Sequence, residues 1–217
     1  MSAWASQSTP HRTPTDILAA VCDALSAGDE ANAEHTLTEG YPRMPAERGK
    51  RSYSERESLK LFLRDGFIDR YGGARLVNPG VLRLLSVLLP DAFPAHPNWK
   101  MSESHQGFWE LFPTVDHVVP IARGGTDDES NWMTCSMLRN SAKAHWTLDE
   151  LGWHVVPSGD LATWDGLTSW FVRFVSPAME TSGDTALAAR LSSAGRSGEY
   201  IRRWWRASRD VAPHTLR

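Results

Sequence analysis

Apolar positions recur at helical spacing along much of this chain. Ile17, Leu18, Val21 and Leu25 fall on one face of a stretch that Thr13 can cap, Pro14 can open and Gly28 can close, which predicts a helix over 14–27. A second short helix is expected over 30–39, ending at Gly40, and residues 41–50, with two prolines and several charges, read as a linker. Ser54 and Glu57 form a capping box ahead of a helix that puts Leu59, Phe62 and Leu63 on one side. Tyr71-Gly72-Gly73 predicts a tight turn, residues 74–77 a short strand, and 81–89 an apolar helix closed by Pro90.

In the middle of the chain the pattern changes. Residues 90–103 hold three prolines and read as loop, whereas 108–120 fit one strand or two. A polar, glycine-bearing loop at 121–130 precedes a short strand at 132–135, and Ser136 can cap a helix running to about His145. Thr147 and Glu150 make another capping box, with Gly152 ending that turn. Beyond it come a helix at 167–175, a loop through Gly183, and one or two helices from an Asp184 cap to about Ser208. The expected fold is α+β: a strand–loop–strand–helix unit embedded in a mainly helical protein. The organisation reads as an N-terminal helical region and linker at 1–50, a central domain at 51–152 and a C-terminal helical extension at 153–217.

Composition narrows the function classes. With 217 residues, 41% hydrophobic and 23% charged, the chain is ordinary globular material and not a disordered tail. It has no apolar run long enough to span a bilayer, and its polar start, with Pro10 and Pro14, lacks the pattern of a secretory signal. A cytoplasmic protein with no membrane partner is the expectation. Cys22 and Cys135 lie too far apart in sequence to suggest a disulfide framework, and two thiols cannot make a four-thiolate zinc site.

The net charge of −3 argues weakly against a nucleic-acid partner, but its distribution changes that picture. Residues 190–217 carry seven arginines against Glu199 and Asp210, a net of +5, which leaves −8 on the rest. The run from Tyr200 to Arg206 could follow a phosphate backbone and stack bases. An amphipathic helix with arginines outward and tryptophans packed inward is the favoured reading. Of the ten tryptophans, Trp132, Trp146, Trp153, Trp164 and Trp170 are expected to form core between the central unit and the tail.

The chemistry is concentrated between Val115 and Lys143. Asp116 and His117 are adjacent at the end of a predicted strand. Their side chains should leave opposite faces, unless the strand end bends and brings both to one cleft. Asn131 follows the polar loop, and Asn140 and Lys143 share one face of the next helix. One carboxylate, one imidazole and two amides suit phosphodiester hydrolysis. Imidazole can activate water near neutral pH. A hard cation that takes one or two protein oxygens plus water and phosphate can neutralise the developing charge. Asp116 and Asn140 are the candidate oxygen ligands, and one strong anionic ligand favours a single metal, Mg²⁺ or Mn²⁺. Lys143, Arg123 and Arg139 are the candidate phosphate contacts, although a lysine in such a helix is more often a solvated one.

At these residues the chain resembles the HNH endonucleases, the ββα-metal nucleases. The resemblance rests on Asp116-His117-Val118-Val119-Pro120, Gly124-Gly125, Asn131 and Asn140-Ser141-Ala142-Lys143. It covers about 30 residues, with a weaker likeness upstream through residues 64–71 to bacterial proteins described as HNH endonucleases. The spacing from Asn131 to Asn140 is also similar to that in the HNH domain of RNA-guided DNA cutters. The resemblance implies a ββα-metal finger that cleaves DNA. In it His117 is the general base, Asp116 and Asn140 hold the metal, and Asn131 braces the loop and orients His117. It further implies 5′-phosphate and 3′-hydroxyl ends. Many members carry paired CxxC zinc knuckles. Only Cys135 stands near the motif here, so no structural zinc is expected. The third motif letter is Asn, a variant implied to favour harder metals. One finger cuts one strand, so cutting both calls for a homodimer or two events. The rival readings are a non-catalytic nucleic-acid-binding module on this fold and an RNA-directed nuclease.

Overall fold

The computed structural model describes residues 12–42, 53–180 and 185–211. The chain divides into two compact units, residues 1–47 and 48–217. In the first, α1 (Pro14–Ser26) and α2 (Glu30–Gly40) form a helical hairpin. The Thr13 hydroxyl accepts from the Asp16 N–H while Asp16 accepts from the Thr13 N–H, so two of the helix's orphan donors are satisfied. Val21, Ala24 and Ala33 make its small core. Leu18 and Leu25, expected inward, are 44% and 52% exposed, because α2 covers only a narrow stripe of α1. Most of the expected linker lies outside the described residues.

The second unit carries a strand–loop–strand–helix element among several helices. Its helices are α3 (Glu55–Arg64), α4 (Pro79–Leu88), α5 (Gly107–Glu110), α6 (Met137–Lys143), α7 (Leu148–Leu151), α8 (Thr168–Glu180), α9 (Ala186–Ser193) and α10 (Arg196–Val211). Strands β1 (Pro113–His117) and β2 (Trp132–Ser136) pair antiparallel, with Asp116 opposite Met133 and His117 opposite Trp132. The order β1, loop, β2, α6 is the strand–loop–strand–helix unit expected from sequence.

A two-stranded sheet is marginal alone, and its free edge needs cover. Residues 64–71 supply that cover on β2. The Arg70 N–H donates to the Thr134 carbonyl at 2.9 Å. Buried carboxylates of Asp65 and Asp69 accept from the N–H groups of Thr134 (2.8 Å) and Ser136 (3.0 Å). Arg70 and Arg64 ion-pair with Asp65 at 2.8 and 3.1 Å, so this buried charge is compensated.

The main core lies beneath this cover. Phe62 of α3, Leu82 of α4, Phe108 of α5, Phe171 of α8 and Ile201, Trp204 and Trp205 of α10 belong to one cluster. A Cβ on Gly80 would collide with Phe171 and Trp204, so α4, α8 and α10 cross at the closest approach a helix backbone permits. The fully buried Asn78 caps α4 by accepting from the Gly80 N–H, and its amide donates to Thr168 and Ser208. The described residues after 153 therefore share one core with those of 53–152.

Several elements differ from expectation. Residues 74–77 form a single bridge, Ile68 to Arg75, because the chain turns away to let the Val77 N–H reach the Leu111 carbonyl. Residues 107–110 are helical, so of the expected 108–120 stretch only residues 113–117 are strand. Helix α6 stops at Lys143, where Ala144 takes a positive φ of 47°. Helix α8 runs on through Pro177 to Glu180, and Thr185 caps α9, the expected Asp184 lying outside the described residues. Among the described residues Trp109, Trp204 and Trp205 are the buried tryptophans, whereas Trp146 and Trp170 are 41% and 37% exposed. The arginines of α10 face outward around its buried tryptophans, as the amphipathic reading requires.

Candidate active site at the end of the first strand

Helix α6 packs against the face of β1 that carries Thr114 and Asp116. Ser136 caps it by accepting from the Arg139 N–H at 3.2 Å, which fixes the phase of the helix. Asn140 then lies over Thr114, its amide donating to the Thr114 hydroxyl (3.0 Å) and the Val115 carbonyl (3.3 Å). One turn on, the ammonium of Lys143 donates to the His117 carbonyl at 2.6 Å and pairs with Asp116 Oδ2 at 2.9 Å.

Lys143 is fully buried, so the expected phosphate contact is corrected: its charge is used inside the protein. The Tyr71 hydroxyl donates to the same Asp116 oxygen at 2.7 Å. Burial, reinforced by the Asp116 carboxylate, pushes the Tyr71 phenol up and keeps it a donor.

His117 engages a different set, on the side of β1 that carries its partner Trp132. Its Nε2 lies 2.8 Å from Asp127 Oδ1, which also accepts from the Tyr53 hydroxyl (2.9 Å) and the Trp132 indole (3.1 Å). These bonds, that of His117 first and that of Tyr53 next, hold the Asp127 carboxyl below the usual carboxylate range. An ionised carboxylate only accepts, so Nε2 carries the proton and a neutral ring keeps its lone pair on Nδ1. Asp116 and His117 thus flank the end of β1 from its two sides, with separate side-chain partners, instead of bending into one cleft.

Asn131 closes the loop between the strands. Its Oδ1 accepts from the Val119 N–H (2.9 Å), and its amide donates to the carbonyls of Val119 (2.9 Å) and Thr126 (2.8 Å). Its own carbonyl accepts from Val118. Gly124 takes a φ of 86°, open to glycine at little cost. A Cβ on Gly125 would collide with the Val119 carbonyl and crowd the Asn131 amide. Asn131 makes no bond to the His117 ring. Asp127 orients the ring, and the bracing of the loop by Asn131 fixes the residue next to Asp127.

Asp127 and Tyr53 were passed over in the sequence. An acidic residue in the loop following the motif histidine was the available signal for Asp127. Tyr53 lies 64 positions from His117 and gave none.

The two expected arginines are surface groups with partners. Arg123 pairs with Glu150 at 3.0 Å. Arg139 lies 3.6 Å from Asp69 and 5.2 Å from the Trp153 ring centroid. His145 is exposed beyond the end of α6 and stacks on Trp146.

Three atoms of the motif have no hydrogen-bond partner among the described residues: Asp116 Oδ1, Asn140 Oδ1 and His117 Nδ1. None is a sealed orphan, for the buried unpartnered side-chain polar atom among those residues is Trp204 Nε1. The two oxygens belong to the face of β1 covered by α6. They are the donor set a hard cation accepts, one carboxylate and one amide, with water and phosphate completing the shell. No cluster of three or more His, Cys, Asp or Glu suited to a metal occurs among the described residues. The pairing of Lys143 with Asp116 Oδ2 also lowers the local negative charge.

Comparison with protein-family models, with curated proteins and with solved structures finds no match.

Proposed function

We propose that this protein is a metal-dependent endonuclease of the HNH type acting on DNA. The observation that carries the reading is the end of β1. There an imidazole whose Nε2 is held by Asp127 presents a free Nδ1 on one side of the strand, and on the other side a carboxylate and an amide each offer an unengaged oxygen.

A phosphate seated over that strand end meets both sides of it. His117 Nδ1 accepts a proton from a water, and the resulting imidazolium is stabilised by Asp127, as in other positioned general bases. The attack on phosphorus proceeds in line with the leaving 3′ oxygen. Asp116 and Asn140 would hold a Mg²⁺ or Mn²⁺, which supplies charge neutralisation at the phosphoryl and leaving oxygens. Tyr71 and Lys143 fix the carboxylate from behind, so that Oδ1 keeps its direction. Asn131 holds the loop, and with it Asp127, in place. Arg123 exchanges its surface ion pair with Glu150 for a phosphate contact at little cost, because exposed pairs are worth only about 0–1 kcal/mol, whereas Arg139 reaches phosphate while staying near the buried Asp69 carboxylate.

Incubation of the purified chain with supercoiled plasmid and a panel of divalent metals tests this reading. Nicked circles with Mg²⁺ or Mn²⁺ are expected. Retained DNA binding with no cleavage under any metal favours the non-catalytic module, and cleavage of RNA alone favours the RNA-directed enzyme.

A further inference from the structure

Away from β1, the first turn of α10, helix α4 and the loop at Pro97 and Asn98 surround an open cleft of about 440 Å³. Its lining includes Arg83, Arg196, Arg203, Glu199 and Tyr200. Three arginines against one carboxylate leave a net of +2 on these five side chains.

Arg83 is the unusual member. It is partly buried, and its guanidinium carbon lies 5.3 Å from the Phe108 ring centroid and 5.6 Å from those of Trp99 and Tyr200. Among the described residues its guanidinium makes no hydrogen bond and no ion pair. A guanidinium presents five donors, and burying such a charge without a paired acceptor is costly. Cation–π contacts return only about 0.5–2 kcal/mol. Burial duly pulls the Arg83 pKa down from its usual value. The rings fix the guanidinium plane, and its N–H groups are not sealed, because no Arg83 nitrogen is among the buried unpartnered atoms. Arg196, exposed on the same cleft, likewise has no partner among the described residues. Arg203 pairs with Glu55 at 2.6 Å and stacks on Tyr200.

We infer that this cleft binds a phosphate group, with Arg83 as the ring-oriented fork and Arg196 as the second cation. A phosphate group supplies the acceptors Arg83 lacks, in the planar two-point geometry that guanidinium favours, and meets in Arg83 and Arg196 two cations with no ion pair among the described residues. The phosphate can come from a nucleic-acid backbone or from a free phosphate compound. The site stands apart from the motif and does not rest on the nuclease reading.

Arginine side-chain NMR of the full chain tests it, with inorganic phosphate titrated against chloride at matched ionic strength. The Arg83 and Arg196 N–H signals should shift and saturate. Arg196→Gln, on an exposed residue, should keep the melting temperature and weaken phosphate about tenfold, in line with loss of one charge-assisted bond. Arg83→Lys keeps the charge but loses the fork and should weaken binding similarly. A second arm measures a labelled DNA duplex across salt. If the backbone is the source, Arg196→Gln lowers the salt slope by about 1. If the source is a free phosphate compound, that slope stays and only the phosphate titration responds. The inference is overturned if phosphate gives no saturable shift and Arg196→Gln and Arg83→Lys, both folded, leave the duplex slope unchanged. Cleavage enters neither arm, so the nuclease reading can fail without this one.

Discussion

Replacing Lys143 by Met separates two accounts of the helix that follows β2. The ammonium is buried, 2.9 Å from a carboxylate that is itself 7% exposed, and it also donates to the His117 carbonyl at 2.6 Å. Removing it strands the Asp116 charge with only the Tyr71 hydroxyl for company. Breaking a buried pair from one side costs about 3–5 kcal/mol, because the remaining charge stays desolvated. At about 2–4 °C per kcal/mol for a unit of this size, the melting temperature should fall by about 6–20 °C. Urea unfolding should show the same loss as a lower midpoint with an unchanged slope. Adding Asp116→Leu removes the stranded charge, so the double variant should recover a large part of the loss, giving a coupling energy above about 1 kcal/mol. A surface lysine that touched phosphate would behave otherwise, with stability within about 0.5 kcal/mol of wild type and weaker DNA binding. Lys143→Met with wild-type stability refutes the buried pairing.

Gly125→Ala forces a Cβ into the Val119 carbonyl and should destabilise by about 1–3 kcal/mol, with faster hydrogen exchange at Val118 and Val119 as the check. The Asp127 carboxyl should titrate by NMR below the ordinary aspartate range, and Tyr53→Phe should raise it. The stabilisation from that carboxyl is present above the ordinary aspartate pKa and is lost as pH falls through its lowered folded value. Ile201→Ala, at a fully buried position of α10, should cost about 2–5 kcal/mol in chemical denaturation, whereas a value near zero would mean that α10 is not part of the core.

Local signals were the legible ones. The capping boxes at Ser54 and Thr147 depend on residues three apart, and both form where the sequence placed them, as does the Thr13 cap. The order of β1, loop, β2 and α6 followed from a change of apolar period around a glycine-bearing loop. Asn140 and Lys143 were placed on one face of α6 by spacing alone, but spacing says nothing of what covers that face. Burial of Lys143 is a tertiary fact, set by Tyr71 and by the strand beneath. For the same reason Tyr53 and Asp127 went unread. Their link to His117 depends on a chain reversal that brings residues 53, 117 and 127 together. The short stretch at 74–77 looked like a strand by composition, yet its pairing with residues 67–69 stops at a single bridge, because Val77 turns to the Leu111 carbonyl, a partner that composition does not reveal.

The most direct measurement is a single-turnover comparison of wild type and His117→Ala on an end-labelled DNA duplex with Mg²⁺ or Mn²⁺ in excess. With binding and fold unchanged, loss of the Nδ1 that accepts the water's proton should slow cleavage by about 10²–10⁴-fold. Equal rates in the two proteins would contradict the assignment of the end of β1 as the catalytic centre.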